Sequence, residues 1–167
     1  MLLGYPGAGK TTTAKIIEEL TGARRLTSDV ERLKMFPDPQ FSQSEHTKLY
    51  SRLDEQTTKL LSGGQSVIYD ANLNRYTHRA EKYKICELSN AMPVLIWINT
   101  DRELSEKRAT DKTRAKLWPA GETPKAMFER IANLIETPRA DESPLILNGY
   151  DLSPSMVEKA LKIRGLI

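Results

Sequence analysis

The stretch GYPGAGKTT, Gly4 to Thr12, constrains this chain more than any other. Gly4, Gly9, Lys10 and Thr11 fit the spacing G-x-x-x-x-G-K-[ST], in which a glycine-rich turn opens a helix. Glycines allow the backbone to curl with its N–H groups inward, where side chains would obstruct an anion. The helix that follows adds unpaired N–H groups and a partial positive charge. The loop Gly4, Pro6, Gly7, Ala8, Gly9, Lys10, Thr11 and Thr12 is thus expected to hold a nucleotide triphosphate. Lys10 would reach the β- and γ-phosphates and the Thr11 hydroxyl would ligate Mg²⁺.

The remaining chain alternates strand and helix signals. KTTTAKIIEELTG reads as a helix stopped by Gly22, RRLTSD as a short strand ending at Asp29, and SEHTKLYSRLDEQTTKLLSGG as a helix with Leu49, Leu53, Leu60 and Leu61 at helical spacing and Gly63-Gly64 as its stop. SVIYD, PVLIWIN and SPLILNG read as further strands, separated by RYTHRAEKYKICELSN, DRELSEKRATDKTRAK and TPKAMFERIANLIET as helices; SPSMVEKALKIRG closes the chain as a capped helix. Alternation of this kind predicts an α/β fold with a parallel sheet covered on both faces. At 167 residues, with no repeat or composition shift, the chain is expected to be one domain over residues 1–167. Residues 101–124 are expected to form a helical lid around LWPAGETP. MLL leaves only three residues for the strand before the loop.

The same expectations exclude other classes. VLIWI is the longest apolar run, far short of the ~20 residues a membrane-spanning helix needs. A net charge of +3 is too small to argue for non-specific nucleic-acid binding. Cys86, the single cysteine, reads as a buried thiol in a helix, and with no leader segment evident the expected location is cytoplasmic.

Acceptor-side candidates follow the second and third strands. Asp29 of SDVER would stand beside the phosphate loop, either as a base for an attacking hydroxyl or as the cap of the next helix. Arg32, one turn on, would face the same side and hold an anionic part of the acceptor. Asp70, ending VIYD, is placed to support Mg²⁺, and Asn72 and Arg75 follow on the same edge. Arg108 and Arg114 in the lid would meet charge developing on the γ-phosphoryl. His78, among Arg79, Glu81 and Lys82, reads as part of a solvated helix face.

GYPGAGKTT, SDVER, VIYDAN, the arginines of EKRATDKTR, and Pro138 and Glu142 of ETPRADE together resemble small P-loop kinases of the polynucleotide-kinase-like, zeta-toxin-like group, also called AAA-family ATPases. The resemblance implies a P-loop NTPase fold with an NMP-kinase-like five-stranded parallel sheet in the order 2-3-1-4-5 and a helical lid. It also implies ATP with Mg²⁺ as donor, a hydroxyl as acceptor, Asp29 as base and Arg32 as a binder of acceptor phosphate. Three functions remain in play. The first is a kinase for a small molecule or a nucleic-acid 5′-hydroxyl, with the modest charge and few aromatics favouring the small molecule. The others are an NTPase without acceptor and a nucleotide-dependent binding module.

Overall fold

A computed structural model describes residues 1–111, 119 and 121–167. Arg114, and Leu117, Trp118 and Ala120 of LWPAGETP, therefore lie outside the described residues. The elements run β1 (Leu2–Leu3), α1 (Lys10–Thr21), β2 (Arg24–Thr27), α2 (Ser28–Met35), α3 (Gln43–Ser62), β3 (Val67–Asp70), α4 (Tyr76–Leu88), β4 (Ile96–Asn99), α5 (Arg102–Thr110), α6 (Pro124–Ala132), β5 (Leu145–Asn148) and α7 (Pro154–Ile163), with a 3₁₀ turn at Ala140–Glu142 before β5.

Every strand pairing among the described residues is parallel. The strands divide into a three-stranded sheet β1-β4-β5 and a two-stranded sheet β2-β3. One continuous five-stranded ladder in the order 2-3-1-4-5 is not what forms. The break falls between β3 and β1, which lie side by side without a ladder. β1 has only two residues, Leu2 and Leu3, paired with Ile96 and Trp97 of β4, so little strand is left to form a ladder on the edge toward β3.

Period-two alternation sends neighbouring strand residues to opposite faces. Ile68 of β3 joins Ile96, Ile98 and Leu147 beneath α1 (Ala14, Ile17) and α7 (Val157, Leu161). Tyr69 joins Leu26 and the α3 residues Leu49 and Leu53 on the other face. β3 is thus covered on both faces, whereas on β5 the face away from α1 and α7 leaves Ile146 54% exposed. Gly22 ends α1 in the left-handed region at φ 68°, and Ser42 caps α3 by accepting from the Glu45 N–H at 3.2 Å. β2 stops at Thr27, so Ser28 and Asp29 begin α2 instead of extending the strand. PVLIWIN contributes only Ile96–Asn99 as strand.

One reading of α4 is overturned. Arg79 and Lys82 do not lie on a solvated face: they are 0% and 3% exposed. Arg79 donates to both Glu142 carboxylate oxygens, at 2.7 and 2.8 Å, and to the carbonyls of Leu73 and Asn74 at 3.2 and 3.1 Å. The Tyr83 hydroxyl donates to the same Glu142 at 2.9 Å. Lys82 donates to Asp54 at 2.5 Å. A helix can bury cations among apolar neighbours when another segment returns a carboxylate to them, and that segment is distant in sequence.

No described helix is long and apolar enough to cross a membrane. Removing one partner of a buried ion pair leaves an uncompensated charge, costing about 3–5 kcal/mol. Arg79→Met is expected to lower unfolding stability by that amount, measured by urea denaturation, and a change below about 1 kcal/mol would contradict the clamp.

Candidate active site

The carboxyl ends of the strands gather the candidate residues on one edge, where parallel α/β folds place their ligands. β2 and β3 end together, Thr27 opposite Asp70, and β4 and β5 end together, Asn99 opposite Asn148. The loop Gly4–Gly9 leaves β1 between these two pairs of ends.

The loop is packed too closely for side chains at its glycines. A Cβ on Gly7, whose φ is 83°, would lie 2.2 Å from the Ser105 carbonyl oxygen and 2.9 Å from the Ala109 N, both backbone atoms of α5. Gly9, at φ 113°, opens α1 with no side-chain cap, leaving the first N–H groups of the helix directed to the loop. The Thr100 hydroxyl donates to the Ala8 carbonyl at 3.0 Å and ties the loop to the end of β4. Lys10 folds over the loop and donates from Nζ to the carbonyls of Gly4 and Tyr5 at 2.7 and 3.0 Å. Thr11 and Thr12 are exposed. Tyr5 packs against Phe128 of α6, ring centroids 6.3 Å apart, beside Ala109 and Ala132.

The Thr11 hydroxyl donates to Asp70 Oδ1 at 3.4 Å, bringing the two expected Mg²⁺ ligands together. Both are hard oxygen donors, a set that suits Mg²⁺ when phosphate oxygens complete the shell. The described residues hold no group of three or more His, Cys, Asp and Glu able to bind a metal by themselves, so nucleotide oxygens would have to contribute. Burial pushes the Asp70 carboxyl above its ordinary range, opposed chiefly by Arg25 and then Lys10. Arg25 Nη1 donates to Asp70 Oδ2 at 3.3 Å.

Beyond the end of β2, Asp29 is exposed in the first turn of α2, where Thr27 is the N-cap; Asp29 is therefore not the cap. Arg32 is 7% exposed. Its guanidinium lies over the Phe41 ring, 4.8 Å from the centroid, and 3.7 Å from Glu45 Oε2, while Nη1 has no hydrogen-bond partner. Glu45 is already engaged, accepting from the Gln40 and Phe41 N–H groups at 3.0 and 2.7 Å. Asn72 and Arg75 are exposed on the loop after β3. The Tyr50 hydroxyl of α3 donates to the Asn72 carbonyl at 3.3 Å; burial pushes that hydroxyl up to about 12, with Asp29 adding to the shift and Arg32 opposing it. His46 stacks on Tyr50 with centroids 4.4 Å apart, and its pKa is lowered by burial, then by Arg32 and His78.

Arg108 of α5 donates from Nη1 to the Gly149 carbonyl at 3.0 Å, and its Cβ would stand 3.2 Å from a Cβ on Gly7. It thus bridges the loop and the end of β5. The structure brings together Lys10, Thr11 and Asp70, places Arg108 against the loop at Gly7, and sets Asp29, Arg32 and the Asn72 backbone around Tyr50, with Arg75 exposed farther along the loop. Phe41, His46, Tyr50 and Arg25 were not foreseen. Helical spacing gave no reason to bring Tyr50 close to Asp29 and Arg32, or to stack His46 on it. Cys86 is half-buried and burial raises its thiol pKa, in keeping with a structural thiol.

A glycine loop between strand and helix, on an all-parallel α/β core with seven helices among the described residues, is the arrangement of a P-loop nucleotide-binding fold. The chain belongs to the AAA_33 family, an AAA domain, which matches residues 1–138. No curated protein matches it. Among solved structures, a putative kinase from Chloroflexus aurantiacus superposes with a TM-score of 0.75 at 17% identity, covering 99% of this chain and 96% of that one. A sugar kinase from Janibacter sp. gives 0.69 at 19% identity, covering 99% and 92%. An APS kinase from Mycobacterium tuberculosis, in complex with AMPPNP and APS, gives 0.57 at 18% identity, covering 80% and 94%.

Two outcomes are expected from this geometry. Gly7→Ala should abolish nucleotide binding measured by isothermal titration calorimetry, because the added methyl meets backbone on α5; retained affinity would contradict the packing. Asp70→Asn should raise the urea midpoint of the nucleotide-free protein at pH 7. A carboxyl whose pKa is raised on folding costs stability once ionised, and that cost is lifted as pH falls below the carboxylate range. The advantage of the Asn variant should therefore shrink on acidification.

Proposed function

We propose that the protein is an ATP-dependent kinase that transfers the γ-phosphoryl group of Mg-ATP to a hydroxyl of a small molecule. The single observation that carries this reading is Arg32. The buried guanidinium keeps one nitrogen, Nη1, that makes no hydrogen bond and only a 3.7 Å ion pair to Glu45, so it retains donor capacity for a ligand. A protein that only hydrolyses ATP has no use for such a group on the acceptor side.

In this reading the loop N–H groups and Lys10 hold the β- and γ-phosphates, Lys10 exchanging its two carbonyl partners for phosphate oxygens. Thr11 and Asp70 would hold Mg²⁺, which when bound neutralises phosphate charge. The acceptor is anchored by an anionic group on Arg32 and touched by Asn72 and Arg75. Asp29 accepts the proton of the acceptor hydroxyl as its oxygen forms a bond to the γ-phosphorus and the bond to the β,γ-bridging oxygen breaks, releasing ADP. Arg108 and Arg114 stabilise the charge that develops on the transferring group. The solved sugar kinase and APS kinase, whose folds resemble this one, act on small molecules by name, which favours that acceptor class over a nucleic-acid 5′-hydroxyl. The polynucleotide-kinase-like likeness keeps the latter as the second acceptor to test. A cytoplasmic setting agrees with the lone free thiol.

The test is γ-labelled ATP with Mg²⁺ offered to a metabolite extract, a 5′-hydroxyl oligonucleotide, and water alone. Label is expected on a metabolite, and Asp29→Asn should slow its appearance by about 10²–10⁴-fold while ATP still binds. Label found only as free phosphate, at equal rates in both proteins, would remove Asp29 as the base and make the NTPase reading the better one.

A further inference from the structure

We infer that Arg25 is a positioning residue that fixes the Asp70 carboxylate for the cation, with Glu18 as its counter-charge. The inference rests on the reading above that Thr11 and Asp70 hold Mg²⁺.

The placement follows from register. β2 and β3 pair Arg25 with Ile68 and Thr27 with Asp70. Alternation turns Leu26 to the α3 core, so Arg25 and Thr27 face the other side of the sheet, with Ile68 and Asp70. Arg25 is the diagonal cross-strand neighbour of Asp70, a separation that a long side chain spans. α1 covers this face, and on α1 Thr11 and Glu18 are seven residues apart, two turns along one stripe. The side chains form a single chain of contacts. Thr11 Oγ1 donates to Asp70 Oδ1 at 3.4 Å. Arg25 Nη1 donates to Asp70 Oδ2 at 3.3 Å and to Thr27 Oγ1 at 3.0 Å. Arg25 Nε donates to Glu18 Oε2 at 2.9 Å.

Arg25 therefore stands on a strand face covered by a helix, where an apolar residue would pack more simply. Its effect is on Asp70, which is 5% exposed. With Oδ2 occupied by the guanidinium, the carboxylate plane is held and Oδ1 points to Thr11. Glu18 offsets the positive charge of Arg25, so the trio of Glu18, Arg25 and Asp70 retains a net negative charge beside the cation position. Residues that orient a metal ligand without touching the metal commonly change metal affinity when removed.

The measurement is binding of a fluorescent ATP analogue to the full chain, titrated with Mg²⁺ after removal of divalent ions by EDTA. The quantity read is the Mg²⁺ concentration giving half of the metal-dependent tightening. Arg25→Met should raise it by about ten-fold. Arg25→Lys, which keeps the charge and one donor but loses the planar fork, should recover part of the loss. Glu18→Gln should move it in the same direction by less, because an uncompensated Arg25 repels the cation. Affinity in EDTA should change little in any variant. An unchanged or lowered Mg²⁺ requirement in Arg25→Met overturns the assignment, since a guanidinium acting only as a repelling charge would give that result. If Arg25→Met does not fold, by circular dichroism, the decision passes to Glu18→Gln, which alters a more exposed side chain; no shift there overturns it equally. Wild-type binding that is indifferent to Mg²⁺ would sink both this inference and the Thr11–Asp70 reading. A normal wild-type response with insensitive variants sinks only the role of Arg25.

Discussion

Close approach of backbone to backbone at the Gly4–Gly9 loop is the constraint on which the rest of the molecule depends. A Cβ on Gly4 would come within 2.9 Å of the Ile98 carbonyl oxygen, one on Gly7 within 2.2 Å of Ser105, and one on Gly9 within 2.3 Å of Leu152. The loop is therefore pressed by β4, by α5 and by the segment between β5 and α7. Each contact fixes one wall of the site. Gly149 extends the same rule, because a Cβ there would collide with Thr100, whose hydroxyl holds the Ala8 carbonyl. The small residues do more than free the loop for an anion: they let three elements converge on it.

Around that loop the charges are arranged in opposite ways on its two sides. Toward β3, charges are matched in a chain: Glu18, Arg25, Asp70 and the Thr11 hydroxyl satisfy one another. Toward α2 and α3, Arg32 lies buried under Phe41 with Nη1 in a 3.7 Å ion pair to Glu45 but without a hydrogen bond. A matched network rigidifies, whereas an unmatched buried donor is an invitation to a ligand. This asymmetry is what separates a phosphoryl-transfer reading, with a donor side and an acceptor side, from simple nucleotide binding.

Helices α5 and α6 are joined to the loop by packing as well as by charge. Tyr5 and Phe128 meet across the loop and α6, and Arg102 of α5 bridges to Glu129 and Asn133 of α6. On the opposite side, the segment Glu136–Glu142 fastens the loop that carries Asn72 and Arg75. Glu136 donates its N–H to the Asn74 carbonyl at 2.8 Å and accepts from the Tyr76 N–H at 2.8 Å, while Glu142 holds Arg79. The exposed Asn72 and Arg75 are thus presented from a backbone pinned where the loop enters α4.

What the sequence by itself determined was local. GYPGAGKTT specifies its turn because glycine alone tolerates those dihedrals, and α1 ends at Gly22 for the same reason. Asp70 at the end of an apolar run and Asp29 and Arg32 one turn apart were legible because strand ends and helical spacing are short-range rules. Tertiary structure decided everything that required two distant segments to meet. Arg79 became a core residue only because Glu142 returns to it from 63 positions away, and Arg25 acquired a role only through register with Asp70. The division of the sheet between β3 and β1 was decided the same way, by which neighbour the two residues of β1 could pair with. Charge patterns along a helix report its solvated face only when no partner arrives from elsewhere, and the linear sequence carries no record of that arrival.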